Sequence, residues 1–142
     1  ITAFAHSSAV LFKEMDKHFS HASELSQIVG SFCAGGTFSA NREEGSLYSP
    51  YIYSISHPAI PGAVIQNALS ERGIYVSTGS ACSDKKSGSP VLTAMGYEKE
   101  RTMNTIRVSF SPFSSGDEAA ALTDALKEIH DKYNSVYEML KK

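Results

Sequence analysis

The sequence predicts an α+β domain: a small antiparallel or mixed sheet of three to four strands with long helices packed on one face. Three observations support this class. Amphipathic helical patterns occupy both ends of the chain, short β-rich segments lie between them, and no internal repeat or linker interrupts the order. The 142 residues can close one hydrophobic core without disulfides or a metal, so we expect residues 1–142 to form a single domain.

Composition excludes several protein classes. The 42% hydrophobic and 20% charged residues are typical of a soluble globular protein, and no apolar run could span a bilayer. A formal net charge of -2 gives no reason to expect a nucleic-acid partner. The two cysteines, Cys33 and Cys82, lie far apart in unlike settings, which favours a reducing compartment such as the cytoplasm. The chain starts at Ile1 without a signal-peptide pattern, and we expect it to be part of a longer protein.

The first predicted element is a long amphipathic helix from residue 1 to about residue 32, because apolar residues recur there every three or four positions. We expect it to divide around residues 6–8 and to end at Gly35-Gly36. His18 and His21 lie one turn apart and could hold a metal. No further ligand is in register with them, so a solvated surface is the favoured interpretation and no metal site is predicted.

The middle of the chain alternates short elements with turns. A loop with at most a short strand at 37–40 precedes a strand over 50–56, and a short helix over 64–72 follows. Farther along, Ser89-Pro90 has the N-cap and first-turn proline of another short helix, over 91–95.

The clearest strand covers residues 105–110. Ile106, Val108 and Phe110 alternate with Arg107 and Ser109, which predicts that Arg107 points away from the core. From alternation alone, a ligand-binding arginine and a structural ion pair are about equally supported. After this strand, residues 115–118 have the spacing of a capping box that opens a final amphipathic helix.

Cys82 is the candidate nucleophile. A β-forming run at 74–78 reaches Gly79, and small residues then lead to Cys82 and a polar loop over 83–88 that contains Lys85 and Lys86. Accessible thiols near positive charge form the reactive thiolate, whereas structural cysteines usually lie within apolar runs. Cys33 closes the first predicted helix and is most simply a small core residue. A single loop cysteine is nevertheless more often incidental than catalytic, and a lysine pair is usually a solvated surface.

The segment Glu71-Arg-Gly-Ile-Tyr-Val-Ser-Thr-Gly-Ser-Ala-Cys82-Ser resembles the active-site segment of the cysteine desulfurases, class V enzymes of the pyridoxal-phosphate (PLP) fold-type I family. Residues 50–56, 91–96 and 106–109 are similar to flanking segments of the same family, whose small domain has the predicted α+β fold. The resemblance covers essentially the whole chain, but only the family's C-terminal small domain. The family's PLP-binding lysine follows a histidine in the large domain, and no lysine here follows a histidine.

The resemblance implies an enzyme that binds L-cysteine on PLP, which acts as electron sink and weakens the carbon–sulfur bond. Cys82 would attack the substrate sulfur, releasing L-alanine and holding a persulfide for an acceptor protein of unknown identity. Arg107 would bind the substrate carboxylate as a two-pronged ion pair. The parent would be a homodimer without nucleic-acid or membrane partners, and this chain alone is expected to bind no PLP and to be inactive.

Some residues depart from the family pattern. The loop after Cys82 is slightly shorter, Ser54 stands where asparagine is common, and His57 where phenylalanine is usual; residues 37–49 match least. His57 precedes a proline at a strand end, which favours local hydrogen bonding over a role as general base. Two alternatives remain: the small domain of a selenocysteine lyase or another class V lyase or aminotransferase, and a non-catalytic α+β interaction module in which Cys82 is incidental.

Overall fold

The computed structural model describes residues 1–42, 45–79 and 88–140, with side chains described as far as residue 136. Its elements confirm the α+β class and a three-stranded antiparallel sheet in the order β1-β2-β3. The elements are α1 Thr2–Lys13, α2 Met15–Ala34, β1 Ser39–Ala40, β2 Ile52–Ser56, α3 Gly62–Ser70, α4 Pro90–Ala94, α5 Lys99–Met103, β3 Thr105–Ser109 and α6 Gly116–Leu140.

Strand register divides the sheet into two unlike faces. In the central pair, Tyr53 lies opposite Val108 and Ile55 opposite Ile106. These four side chains therefore share one face, which α2, α3 and α6 cover, and all four are buried. We call it the helix-covered face. The alternate pairs lie on the other face, which we call the open face: Ile52 with Ser109, Ser54 with Arg107, and Ser56 with Thr105.

The predicted capping box at the start of α6 is confirmed. The Glu118 N–H donates to Ser115 Oγ at 3.2 Å, and the Ser115 N–H donates to Glu118 Oε2 at 2.8 Å. Two backbone donors that the helix cannot use are thereby satisfied. From this start α6 packs against α2 and α3 and buries Leu122, Leu126 and Ile129 in the core.

The first helix divides at Glu14, so the break expected around residues 6–8 is wrong. Glu14 leaves helical geometry (φ -115°, ψ 15°), and its N–H donates to Leu11 O in a tighter turn. Histidine and serine are tolerated within α1 because an exposed helix position costs little, and α1 buries none of its residues. None of the helices in the described part of the chain is both long and apolar enough to cross a membrane.

Residues 74–78 form no strand, which corrects the sequence prediction. The segment pairs with β3 at one bridge, between Ser77 and Arg107. On its outer side, Gln66 Nε2 donates to Val76 O at 2.8 Å, so a helix side chain satisfies the carbonyl that a further strand would use. The helix α5, which the sequence did not predict, lies immediately before β3.

Candidate functional site

Arg107 lies in a cavity of about 230 Å³ on the open face. Within the described part of the chain, its buried Nε has no hydrogen-bond partner and no carboxylate forms an ion pair with Arg107. The prediction that Arg107 points away from the core is confirmed. A structural ion pair, the alternative raised by the sequence, is not present among the described residues. A buried donor without a partner is costly, so this guanidinium is suited to an anionic ligand.

The chain enters the cavity along Arg107. Ser77 N donates to Arg107 O at 3.1 Å, and Arg107 N donates to Ser77 O at 2.6 Å. Thr78 and Gly79 follow and line the cavity. Gly79 has a φ of +121°, a conformation that side-chain-bearing residues rarely adopt, which explains the glycine at this turn.

The chain returns to the same cavity through Gly88 and the start of α4. Gly88 has a φ of +72°, and a Cβ on it would lie 2.1 Å from Thr102 Oγ1. Ser89 then caps α4, accepting a bond from Leu92 N at 3.4 Å, as the Ser89-Pro90 pair predicted. Ser89 and Leu92 both line the cavity with Arg107.

Cys82, Lys85 and Lys86 lie outside the described residues, so the structure does not test the predicted nucleophile or its basic neighbours. It does bring residues from both sides of their segment, Thr78 and Gly79 before it and Ser89 after it, to the cavity that holds Arg107.

A polar network beside Arg107 was missed by the sequence analysis. Asn41 Nδ2 donates to Ser54 Oγ at 3.0 Å, and Asn41 Oδ1 accepts from Arg101 Nε at 2.9 Å. Ser56 Oγ also donates to Asn41 Oδ1, at 2.8 Å. The sequence could have indicated that Ser54 faces the open side of the sheet, because it alternates with the buried Tyr53. It gave no such indication for Asn41, which lies in a segment without periodicity.

Residues of the segment 37–49, which resembles the family least, have two structural roles. Asn41 carries the network on the open face, and Arg42 stacks between two tyrosine rings, with its Cζ 3.9 Å from the Tyr48 centroid and 4.1 Å from the Tyr53 centroid. Arg42 also donates to the Tyr53 hydroxyl. These contacts fasten the loop after β1 to the sheet.

His57 is a local hydrogen-bonding residue, as predicted. Its Nδ1 accepts from the N–H groups of Ala59 and Ile60 at 3.0 and 2.8 Å. The neutral ring therefore carries its proton on Nε2 and donates to His130 Nδ1 at 2.8 Å. Burial, with a smaller contribution from His130, lowers the pKa of His57 to about 4. His57 does not line the Arg107 cavity.

The other candidate residues, Cys33, His18 and His21, make structural contacts. Cys33 packs against the hydrophobic core, and burial raises the pKa of its thiol to about 11, against a smaller opposing effect of Arg42. His18 lies 3.5 Å from Glu14, and His21 Nε2 donates to Ser114 O at 2.7 Å. Within the described ranges, no three potential ligand residues are grouped around a metal position.

PLP requires a lysine amine for its Schiff base, and no lysine is among the described residues that line the Arg107 cavity.

Comparison with known proteins gives similarity to NifS-like proteins. No protein-family model matches the chain. A NifS/IcsS protein homolog of Lactobacillus delbrueckii subsp. bulgaricus is 28% identical over 90 residues, which cover 63% of this chain and 23% of that protein. A solved NifS-like protein shares 26% identity with a TM-score of 0.72, over 84% of this chain and 30% of that chain.

Two further structures show the same fold. The NifS-like protein from Rickettsia africae has a TM-score of 0.77 at 22% identity, over 90% of this chain and 33% of that chain. The cysteine desulfurase CsdA from Escherichia coli has a TM-score of 0.53 at 17% identity, over 78% of this chain and 24% of that chain. The resemblance to NifS-like cysteine desulfurases is thus confirmed, and the chain spans about a quarter to a third of the length of these proteins.

Proposed function

We propose that this chain is the small domain of a PLP-dependent cysteine desulfurase that moves sulfur from L-cysteine to Cys82 and releases L-alanine. One observation carries the proposal: the guanidinium of Arg107, with a buried and unpaired Nε, lies in a cavity lined from both sides of the Cys82 segment. The resemblance to NifS-like proteins supports the reaction class.

Arg107 is the proposed site for the substrate carboxylate. A guanidinium offers parallel N–H donors that match the two oxygens of a carboxylate, geometry that a lysine ammonium does not reproduce. Its position on β3, in the rigid sheet, would hold the amino acid in a constant orientation while the loop residues react.

Cys82 is the proposed sulfur acceptor. It follows Gly79, which lines the cavity, by three residues in the sequence. Its thiolate would attack the substrate sulfur and form an S–S bond, so that the transferred sulfur becomes the outer atom of a persulfide on Cys82. The electron pair of the broken C–S bond stays on carbon, which takes a proton to give L-alanine.

The proposal extends to parts of the protein beyond this chain. PLP and its lysine would belong to a large domain, and the parent would be a cytoplasmic homodimer. The persulfide would pass to an acceptor protein in iron–sulfur cluster assembly or in thiolation of a cofactor or tRNA. These assignments rest on the family resemblance.

The test uses the full-length parent protein with PLP and L-cysteine. With a thiol reductant added to release the persulfide sulfur as sulfide, Cys82→Ala should lower sulfide and alanine release by at least about a hundredfold, because the acceptor thiol is gone. Cys33→Ala is the matched control and should keep wild-type turnover, since Cys33 packs against the core. Undiminished release by Cys82→Ala would show that the role of Cys82 is wrong.

Arg107→Lys tests the carboxylate site. The loss of two-pronged binding should raise KM for L-cysteine by about tenfold to a hundredfold.

Competition between L-cysteine and L-selenocysteine distinguishes the desulfurase from a selenocysteine lyase. A parent gene that encodes little beyond these 142 residues would instead support the interaction module.

A further inference from the structure

The hydrogen bonds around Asn41 have a defined direction. Arg101 is a donor only, and its Nε lies 2.9 Å from Asn41 Oδ1. This contact determines which end of the Asn41 amide is oxygen. The NH₂ group must therefore face Ser54, whose Oγ lies 3.0 Å away. Arg101 also donates to Ala40 O at 3.0 Å, which holds the guanidinium in place.

Ser54 consequently accepts a hydrogen bond from Asn41 and keeps its own proton for another partner. Within the described part of the chain, the Ser54 hydroxyl donates to no other group. Ser54 lies directly opposite Arg107 in the register of β2 and β3, and both residues line the cavity. Directly opposed side chains have Cβ atoms about 5 Å apart, close enough to share one small ligand.

We propose that the Ser54 hydroxyl is a second donor to the anionic group that Arg107 binds, and that Asn41 and Arg101 are positioning residues that direct its proton into the cavity. The inference rests on the proposed function and deepens it. The described residues that line the cavity provide the unpaired Nε–H of Arg107 and the hydroxyl of Ser54, and none of them is a carboxylate. Two donors on one side suit a ligand group that only accepts, and the carboxylate of the proposed substrate is such a group.

The chain of donors also strengthens the site. Each bond from Arg101 to Asn41 to Ser54 points the same way, so each donor polarises the next and the positive end of the chain lies at the Ser54 proton. A neutral hydroxyl donor to a charged acceptor adds about tenfold to affinity. Arg107 supplies the charge, and Ser54 would determine the orientation of the carboxylate.

The first experiment measures carboxylate binding on the 142-residue chain. Propionate is titrated while the NMR signal of the Arg107 Nε–H is followed, with propionamide as the uncharged counterpart. Ser54→Ala should weaken propionate binding about tenfold and leave propionamide unchanged, and Ser54→Thr should keep wild-type affinity because it retains the hydroxyl. Equal propionate affinity in wild type and Ser54→Ala would overturn the inference.

Asn41→Asp tests the direction of the donor chain. An aspartate only accepts, so it would attract the Ser54 proton away from the cavity and weaken propionate binding about tenfold or more. The matched control is Asn67→Asp, the same change at an exposed position of α3, which should keep wild-type affinity. Because the new charge could also repel propionate, the change is repeated in Ser54→Ala. A much smaller additional loss there supports the proposal, and an equal loss overturns it.

The full-length parent separates this inference from the proposed function. With L-cysteine, Ser54→Ala should raise KM about tenfold and change kcat less than twofold, with rescue by Ser54→Thr. If Arg107→Lys raises KM but Ser54→Ala does not, the inference fails while the carboxylate site stands. If neither variant changes KM, both the carboxylate site and this inference are wrong.

Discussion

Arg107 and Ser77 are joined by two main-chain hydrogen bonds, at 2.6 Å from Arg107 N to Ser77 O and at 3.1 Å from Ser77 N to Arg107 O. The pair fixes the backbone of the arginine against the segment that leads to Gly79. The backbone of Arg107 and the start of the candidate nucleophile's segment are therefore held together by main-chain hydrogen bonds.

Gly88→Ala should destabilise the protein by about 2–3 kcal/mol, because a side chain is strained at positive φ and the new Cβ would meet Thr102. Urea unfolding followed by circular dichroism measures the change, since the chain contains no tryptophan. Gly116→Ala is the control: its Cβ would meet only Ile28 Cδ1, at 4.0 Å, so stability should change by less than about 0.5 kcal/mol. Equal stability of the two variants would contradict this prediction.

Stability should fall as pH drops from about 6.5 to about 4. The pKa of His57 is lowered to about 4 in the folded protein from 6.5, so the unfolded chain binds a proton in this window and the folded one does not. The contribution is fully present above pH 6.5, and up to about 3 kcal/mol is lost as pH falls towards 4.

His57→Phe tests whether His57 causes this pH dependence of stability, because it removes the titrating ring while keeping an aromatic side chain. The variant should be less stable at neutral pH, because the N–H groups of Ala59 and Ile60 lose their acceptor. Its stability should then depend less steeply on pH between 4 and 6.5. His6→Gln, at an exposed position of α1, should retain the wild-type pH profile. An unchanged slope in His57→Phe would assign the effect to other groups.

Cys33 should resist alkylation in the folded protein. Burial raises its pKa to about 11, so at pH 8 the reactive thiolate is about a hundredfold rarer than in the unfolded chain. In a Cys82→Ala background, iodoacetamide should label Cys33 at least about a hundredfold more slowly in buffer than in urea. Mass spectrometry of the labelled peptide measures the labelling rates in buffer and in urea. Comparable rates would mean that burial does not protect this thiol.

The 142-residue chain alone should give no turnover and no PLP adduct. The described residues around Arg107 include no lysine for a Schiff base, and no lysine in the sequence follows a histidine. Incubation with PLP and L-cysteine, followed by borohydride, should leave the chain unlabelled, whereas the full-length parent should be labelled at one lysine. A yellow chain with a stoichiometric borohydride-reduced adduct would contradict the expectation.

Most of the fold follows from local patterns. The alternation over 105–110 correctly predicted which side of β3 is buried, and the Ser115 to Glu118 spacing predicted the start of α6. Local patterns failed where a tertiary contact replaced a local one. Residues 74–78 have strand-forming side chains, but Gln66 satisfies their outer edge and only Ser77 pairs with β3.

The sequence by itself determined the α+β class, the outward direction of Arg107 and the family resemblance, because each depends on side-chain period or on a contiguous string of residues. Only the tertiary structure decided that Arg101, Asn41 and Ser54 form one donor chain beside Arg107. Arg101 and Asn41 are 60 residues apart, and a hydrogen bond between them leaves no periodic trace in the sequence. The physical reason is that a hydrogen bond depends on where folding places two groups, whereas periodicity reports only which way each side chain faces.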